Sequence, residues 1–141
     1  MDGVRDILLG VDFGTGGCKV SALSAADGRL LGDASVEYAT EYAHAGWSEQ
    51  NPDDWYAAMR GAIRAVAAKG VDLSKVRALA FDGSTHNAVL MDAGYKPIRK
   101  TIMWTDQRSV AECALLREKY GETILKTAYQ SPSPTWTLPQ M

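Results

Sequence analysis

The first half of the chain has the periodicity of β-strands, whose side chains alternate between two faces or run apolar through a buried sheet. Residues 6–13 form an apolar run that ends at a turn, which predicts a strand buried on both faces. Residues 18–25 alternate between apolar and polar side chains and predict a second strand. The Asp-Gly pair at 27–28 predicts a hairpin turn, and residues 29–42 predict a third strand. Together they predict an antiparallel three-strand meander.

The clearest helical spacing follows this meander. Asn51 or Asp53 can cap the start of the helix, Pro52 fits its first turn, and Gly70 ends its apolar pattern. We interpret the apolar stripe of this helix as core rather than as a cofactor site; its members are Trp55, Met59, Ile63 and Val66.

The second half of the chain predicts shorter elements. Residues 76–83 predict a strand that runs into glycine, and residues 87–98 predict another strand followed by a turn. Residues 100–106 form a short apolar run. Residues 107–121 predict a second helix, which ends at Gly121. Residues 129–141 are rich in proline and serine and predict an exposed linker or loop.

Composition excludes several classes of protein. The chain has 141 residues, enough for one domain with a core, and a formal net charge of −2, which gives no electrostatic case for nucleic acid or an anionic membrane. No apolar run is long enough to span a bilayer, and the N-terminal stretch lacks the features of a signal peptide. Cys18 and Cys113 lack CxxC spacing, which argues against a disulfide framework or a zinc site. These features predict a cytoplasmic protein.

A glycine-rich turn after the first strand is the main candidate for chemistry. The strand that follows it excludes a dinucleotide fingerprint, which opens a helix, and its lysine is not placed as in a Walker loop. Amides of such a turn can approach phosphate oxygens closely, and Asp12 at the strand end can orient Mg²⁺ through water. A structural hairpin whose acid bonds its own turn is equally open from these residues alone. The candidate cofactor-binding residues are Asp12, Gly14, Thr15, Gly16, Gly17 and Lys19.

The same stretch, DFGTGGCK, resembles the first phosphate motif, Asp-x-Gly-Thr-x-x-x-Lys/Arg, of the actin/hexokinase/Hsp70 superfamily. Within that superfamily, GWSEQNPDDWY, DGSTHNAVLMD and MWTDQRS resemble the FGGY carbohydrate kinases of the xylulokinase-like type, and SPSPTWTLPQM resembles a loop of their first domain. The resemblance implies an α/β, ribonuclease H-like (actin-like ATPase) N-terminal subdomain. Its mixed sheet would contain the antiparallel meander with helices added, and the subdomain would be incomplete.

The resemblance also implies a function for the intact protein. It would transfer phosphate from ATP with Mg²⁺ to a sugar hydroxyl, with D-xylulose as the leading substrate. Residues 1–141 would form the N-terminal part of the first domain. The apolar pattern at residues 136–141 indicates an interrupted chain. The catalytic base would be an aspartate beyond residue 141, so we expect this chain alone to be inactive and marginally stable. Its partners would be ATP, a sugar and the remainder of the same polypeptide, and the intact protein can be a homodimer.

The resemblance carries over four substrate-binding candidates, Thr85, His86, Trp104 and Asp106. The family stretch commonly reads Gly-Gln-Met-His-Gly, so His86 matches while Ser84, Thr85 and Asn87 depart from it, which puts the particular sugar in doubt. From the residues alone, a lone histidine is more often structural. Asp106 could equally be a helix N-cap with Trp104 in the core and Arg108 solvated. By the resemblance, we expect Arg108 to be structural.

Trp47 and Glu49 are expected to pin the loop before the long helix, without a catalytic role. Two other functions stay open. The intact protein can be a kinase for ribulose, a hexulose, a polyol or gluconate, or the chain can be a non-catalytic nucleotide- or sugar-binding module. A self-sufficient module should end on a polar, closed element.

Overall fold

Six β-strands and three α-helices make up residues 6–141, the part of the chain described by our computed structural model. Residues 1–5 lie outside the described residues. They are the start of the domain predicted over residues 1–141 and of the N-terminal stretch that lacks signal-peptide features. The elements are β1 (Ile7–Phe13), β2 (Gly17–Ser24), β3 (Leu30–Glu37), β4 (Glu49–Gln50), α1 (Pro52–Ala68), a 3₁₀ turn (Leu73–Lys75), β5 (Val76–Gly83), β6 (Thr101–Ile102), α2 (Val110–Ala128) and α3 (Thr137–Gln140).

The chain folds as two compact units. The first unit contains the residues up to Ala39 together with Asp53–Ser84. The second unit contains Thr40–Pro52 together with Thr85–Met141. The chain therefore leaves the first unit after β3, returns to it in α1 and leaves it again after β5.

The sheet of the first unit has the strand order β3-β2-β1-β5. The pairs β1–β2 and β2–β3 are antiparallel, whereas β1 and β5 are parallel. The predicted mixed sheet with an antiparallel three-strand meander is therefore confirmed. The third strand is shorter than predicted, since β3 ends at Glu37.

The prediction that the first strand is buried on both faces is wrong. Side chains of β1 alternate: Ile7, Leu9 and Val11 lie in the core, whereas Leu8 is 39% exposed. The core cluster of this unit joins that inner face to α1, and no described helix of this unit covers the opposite face. An apolar run at a strand can thus be covered on one side only.

Helix α1 begins at Pro52, as predicted, with Asp53 in its first turn, and Gly70 adopts a φ of 95° just beyond its end. The predicted stripe does face the core, but its fully buried residues are Ala58, Ala62 and Val66. Their small side chains let the helix backbone approach the sheet. Three larger members of the stripe flank them half-buried: Trp55, Met59 and Ile63.

Residues 87–98 do not form the predicted strand. Two isolated bridges stand in its place, Ala88 with Ile102 and Met91 with Pro97. The predicted turn is present, because the Asp92 carboxylate accepts hydrogen bonds from the backbone N–H groups of the two turn residues Gly94, at 2.8 Å, and Lys96, at 2.9 Å. Satisfying these turn amides locally leaves the segment with little ladder pairing.

Helix α2 is longer than predicted and runs through Gly121 to Ala128. A mid-helix glycine costs about 1 kcal/mol relative to alanine, so a glycine alone does not end a helix. The helix ends at Tyr129, whose φ is 57° and whose N–H donates to the carbonyl of Leu125 at 2.9 Å.

Residues 129–141 are only partly the exposed loop that their composition predicts. Pro132 and Pro139 are buried. The Gln140 side chain donates to the carbonyl oxygens of Pro134, at 2.9 Å, and Met103, at 3.2 Å. These contacts hold the segment against the second unit. Across residues 6–141, no helix has the length and apolarity needed to cross a bilayer.

Strands β2 and β3 leave no room for a side chain at Gly17. A Cβ atom placed there would lie 2.9 Å from the carbonyl oxygen of Val36 and 3.2 Å from the Cα atom of Glu37. Both of these atoms belong to backbone, so neither can rotate away.

We therefore expect Gly17→Ala to lower the free energy of unfolding by about 1–3 kcal/mol, because the sheet must shift to admit the methyl group. Urea denaturation of the purified protein measures this change. Gly16→Ala is the matched control, since a Cβ at Gly16 meets nothing within 4 Å. Equal unfolding midpoints for the two variants would contradict the packing role of Gly17.

Candidate functional site

The glycine turn of the first unit links the inner strands β1 and β2. Asp12 lies one residue before the end of β1, is exposed, and is the cross-strand partner of Lys19. Thr15 and Gly16 are exposed at the turn. The predicted phosphate-binding residues are thus gathered at one end of the sheet.

Tyr38, just after β3, fixes this turn from the other side. Its hydroxyl donates a hydrogen bond to the carbonyl of Gly14, and its N–H donates to the carbonyl of Gly16 at 3.3 Å. Burial, followed by the charges of Cys18 and Asp12, raises the pKa of Tyr38 to about 12. The hydroxyl therefore keeps its proton, and with it this hydrogen bond, at neutral pH. Sequence reasoning assigned no role to Tyr38.

Asp82 is the other residue of this site that sequence reasoning missed. Strand β5 runs parallel to β1, and their register places Asp82 beside Asp12. Both acids line an open groove of about 340 Å³. The signal was in the sequence, because each strand carries an aspartate one residue before its end and the carboxyl ends of parallel strands meet at one sheet edge.

Lys19 also lines this groove, but it forms an ion pair with Asp33. The Lys19 Nζ atom lies 3.4 Å from Asp33 Oδ2, and both side chains are largely exposed. An exposed pair of this kind is weak, about 0–1 kcal/mol, so it releases the lysine at little cost. The cation remains available to a phosphate group.

The acids of the groove suit Mg²⁺ in the chemistry of their donors. Mg²⁺ takes oxygen ligands, keeps several waters and is usually held by one or two carboxylates together with substrate phosphates. Asp12 and Asp82 supply such carboxylates side by side. Across the described residues, no three His, Cys, Asp or Glu side chains form a metal-binding cluster. The two adjacent carboxylates of the groove are therefore donors of the kind that Mg²⁺ takes.

Of the sugar-binding candidates in the second unit, Thr85 and His86 lie on the exposed segment that follows β5. His86 adopts a φ of 64°, an uncommon value for a residue other than glycine. Its ring stacks with Trp136, with centroids 6.5 Å apart and an angle of 12° between the planes. Thr137 Oγ1 donates to the His86 carbonyl at 3.2 Å.

Trp104 is 41% exposed, so the interpretation that placed it in the core is wrong. Its backbone N–H donates to the side-chain oxygen of Asn87 at 2.8 Å. Since Asn87 follows His86 directly, this bond brings the Trp104 turn to the segment that carries the histidine. An accessible indole is suited to stacking on the C–H face of a sugar.

Asp106 is the most constrained of the predicted residues, because it is fully buried. Its Oδ2 accepts from the Ser48 backbone N–H at 2.6 Å and from Arg108 Nη2 at 2.7 Å. Its Oδ1 accepts from the backbone N–H of Arg108 at 2.8 Å and from Arg108 Nε at 2.9 Å. The N-cap interpretation is wrong, since the residue before α2 is Ser109. The carboxylate holds the turn that carries Trp104.

Arg108 connects this turn to the loop before α1. Its Nη1 donates to Glu49 Oε1 at 3.0 Å, and its guanidinium carbon lies 3.7 Å from the centre of the Trp47 ring. Arg99 Nη2 reaches the same Glu49 oxygen at 2.6 Å. These contacts agree with the structural roles expected for Arg108, Trp47 and Glu49.

Burial affects the remaining titratable groups of interest in different ways. It tends to raise the pKa of Asp106, but hydrogen bonds from Arg108 and Ser48 and the Arg108 charge outweigh it and lower that pKa. Burial raises the pKa of the Cys18 thiol, and the Asp12 charge adds to the rise. Burial likewise raises the pKa of the Cys113 thiol. Neither cysteine is therefore activated as a nucleophile.

Comparison with known proteins relates this fold to one family. The model of the FGGY family of carbohydrate kinases, N-terminal domain, matches residues 7–139. The xylulose kinase of Staphylococcus epidermidis (strain ATCC 12228 / FDA PCI 1200) is 30% identical over 140 residues, which cover 98% of this chain and 27% of that protein. The xylulose kinase of Escherichia coli (strain K12) is 32% identical over 133 residues, covering 94% of this chain and 27% of that protein.

A solved structure agrees with these relatives. The crystal structure of a xyloylose kinase from Brucella ovis superposes with a TM-score of 0.87 at 33% identity, covering 95% of this chain and 27% of that one. The chain thus spans about 27% of the length of the curated relatives it matches. The predicted actin-like ATPase fold is confirmed by this likeness.

The ion pair of buried Asp106 with half-buried Arg108 generates a stability prediction. We expect Asp106→Asn to lower the free energy of unfolding by about 3 kcal/mol, because the Arg108 guanidinium loses the carboxylate that accepts most of its hydrogen bonds and keeps only Glu49 as a counter-charge. Glu122→Gln is the control, since Glu122 and Lys126 form an exposed pair worth about 0.5 kcal/mol or less. Urea unfolding at pH 7 measures both changes.

The same pair predicts a pH dependence. The folded-state pKa of Asp106 is lowered, so its stabilisation is complete above the unfolded value of about 3.9 and is lost as the pH falls through the folded value. Below about pH 4, wild type should therefore lose stability more steeply than Asp106→Asn. Parallel stability curves for the two proteins between pH 3 and pH 7 would contradict this assignment.

Proposed function

Since the chain belongs to the FGGY family of carbohydrate kinases, we propose that the intact protein transfers the γ-phosphate of ATP to a sugar hydroxyl. We propose D-xylulose as the sugar, giving xylulose 5-phosphate. The observation that carries this proposal is the similarity to xylulose kinases over almost the whole chain. The intact protein would act in the cytoplasm on small molecules alone, and it can be a homodimer.

The first unit would bind the phosphates of ATP. The amides of the turn at Gly14, Thr15, Gly16 and Gly17 would bind phosphate oxygens, and Lys19 would add a positive charge. Mg²⁺, when bound, neutralises charge on the β- and γ-phosphates. Asp12 would orient it through a water molecule, and Asp82 would supply a second carboxylate beside it. Tyr38 would keep the turn in its binding shape.

The second unit would supply contacts to the sugar. The exposed indole of Trp104 would stack on the C–H face, and His86 would hydrogen-bond hydroxyl groups. Thr85 is exposed beside His86 and would add a hydroxyl contact. For Asp106, the sugar-lining role stays a prediction, because its hydrogen bonds assign the carboxylate first to the turn.

The general base for the sugar hydroxyl would lie in a segment outside this chain. Phosphoryl transfer needs the phosphate clamp, the sugar pocket and this base, and the 141 residues supply parts of the first two. The chain alone would therefore bind ligands without turning them over.

A second candidate is a kinase of the same family for another substrate, such as ribulose, a hexulose, a polyol or gluconate. Ser84, Thr85 and Asn87 favour it, because they depart from the Gly-Gln-Met-His-Gly pattern around the matched histidine. The reaction would be the same, and only the hydroxyl pattern of the acceptor would change.

A coupled ADP-release assay tests both candidates. A protein extended to the length of its relatives should release ADP with D-xylulose faster than with the other sugars, whereas residues 1–141 alone should release none. Preference for another acceptor would select the second candidate. Sugar-dependent ADP release by residues 1–141 alone would refute the proposal that the base lies elsewhere.

In the extended protein, we expect Asp12→Asn to lower kcat by about 10- to 100-fold, the range for outer-sphere partners of a metal. The dependence on Mg²⁺ concentration should shift upward while the Kd for the sugar stays unchanged. Steady-state kinetics and calorimetric titration of the sugar measure the two effects. Asp54→Asn, at an exposed acid in the first turn of α1, makes the same charge change and should leave both values unaltered.

An Asp12→Asn variant with wild-type kcat and Mg²⁺ dependence would refute the phosphate-site assignment. An Asp12→Asn variant that loses sugar affinity would instead place Asp12 in the sugar site.

A further inference from the structure

The side chain of Asn87 joins two segments that carry predicted sugar contacts. Its Oδ1 atom accepts a hydrogen bond from the backbone N–H of Trp104 at 2.8 Å. Asn87 follows His86 directly in sequence, so its backbone belongs to the histidine segment. A single amide group thus spans from the histidine segment to the tryptophan turn.

The histidine end of this link is already fixed by its neighbours. His86 has a φ of 64°, in the left-handed region, so the chain turns at this residue just before Asn87. The stacking of its ring on Trp136 and the hydrogen bond from Thr137 to its carbonyl hold that conformation. A non-glycine residue in this backbone region needs such support from its surroundings.

The tryptophan end is fixed by a buried turn. Met103 is only 1% exposed, and its N–H donates to the Ser48 carbonyl at 3.0 Å. The N–H of Asp106 closes the turn on the Met103 carbonyl at 2.9 Å. Trp104 stands between these two residues, so the backbone group that Asn87 binds has a defined place. The link therefore connects two ordered segments rather than two mobile ones.

We propose that Asn87 is a positioning residue for the sugar substrate. It would set the separation of the His86 imidazole and the Trp104 indole before the sugar binds. This inference rests on the proposed function, because it needs both side chains to contact the acceptor sugar. Glycine stands at this position in the sequence pattern that the segment resembles, and it has no side chain to make the link.

The physical effect is on the cost of ordering the site. Groups that already hold the bound geometry lose less conformational freedom when the ligand arrives, which increases affinity. Loss of the link would weaken sugar binding while leaving the ATP phosphate site of the first unit unaltered. The predicted signature is therefore a change in the KM for the sugar that is not shared by ATP.

Three variants of the extended protein test this role. Asn87→Ala and Asn87→Gly remove the acceptor oxygen, and the KM and calorimetric Kd for the sugar should rise by about five- to tenfold, the effect of one hydrogen bond. The KM for ATP and kcat should change by less than about twofold. Asn87→Asp retains an oxygen that can accept from the Trp104 N–H, so it should restore most of the sugar affinity.

Asp92→Ala is the matched control. Like Asn87, Asp92 uses a side-chain oxygen to accept a backbone N–H at 2.8 Å, but it does so within the turn at 92–96. We expect Asp92→Ala to leave the sugar KM unchanged. Thermal unfolding of every variant separates a general loss of stability from a specific loss of sugar affinity.

Unchanged sugar affinity in both Asn87→Ala and Asn87→Gly would overturn the positioning role. Kinase activity of the wild-type extended protein would still support the proposed function in that case. Equal rises in the KM values for sugar and ATP would overturn it too, as would failure of Asn87→Asp to restore affinity. A wild-type extended protein that neither binds nor phosphorylates any sugar would overturn the proposed function, and this inference with it.

Discussion

The backbone pairing of β1 is the constraint on which the proposed phosphate site depends. This strand pairs antiparallel with β2 on one side and parallel with β5 on the other. The first pairing places Asp12 opposite Lys19, and the second places Asp82 next to Asp12. A slip by one residue would turn Asp12 toward the core. The apolar contacts of Ile7, Leu9 and Val11 with α1 hold the register and therefore the acids.

A buried charge organises the second unit in a comparable way. Removing the Asp106 carboxylate from water is costly, and four hydrogen bonds offset that cost. Those bonds need the loop at Ser48 and the side chain of Arg108 in fixed places. The turn that presents Trp104 is thus determined by the groups packed beneath it.

The sequence predicted those parts of the fold in which local patterns and tertiary packing agree. The meander, α1 and β5 follow from periodicity and turn residues, and the turn between β1 and β2 follows from its glycines beside Asp12. The prediction that α2 ends at Gly121 was wrong because nothing in a local pattern shows that a helix continues through a glycine. The partners of Asp106 were not predictable, because Ser48 lies 58 positions away and its contribution is a backbone N–H. Asp82 required the parallel register, which no single segment contains.

The position of β5 has a consequence for handling the protein. It is the last strand of its sheet, and Leu79 and Phe81 are 46% and 64% exposed. One side of its backbone has no pairing strand among the described residues. An open edge with exposed apolar side chains is a template on which another chain can add a strand. Self-association at high concentration would start there, and a charged side chain at position 79 or 81 would be the natural means of suppressing it.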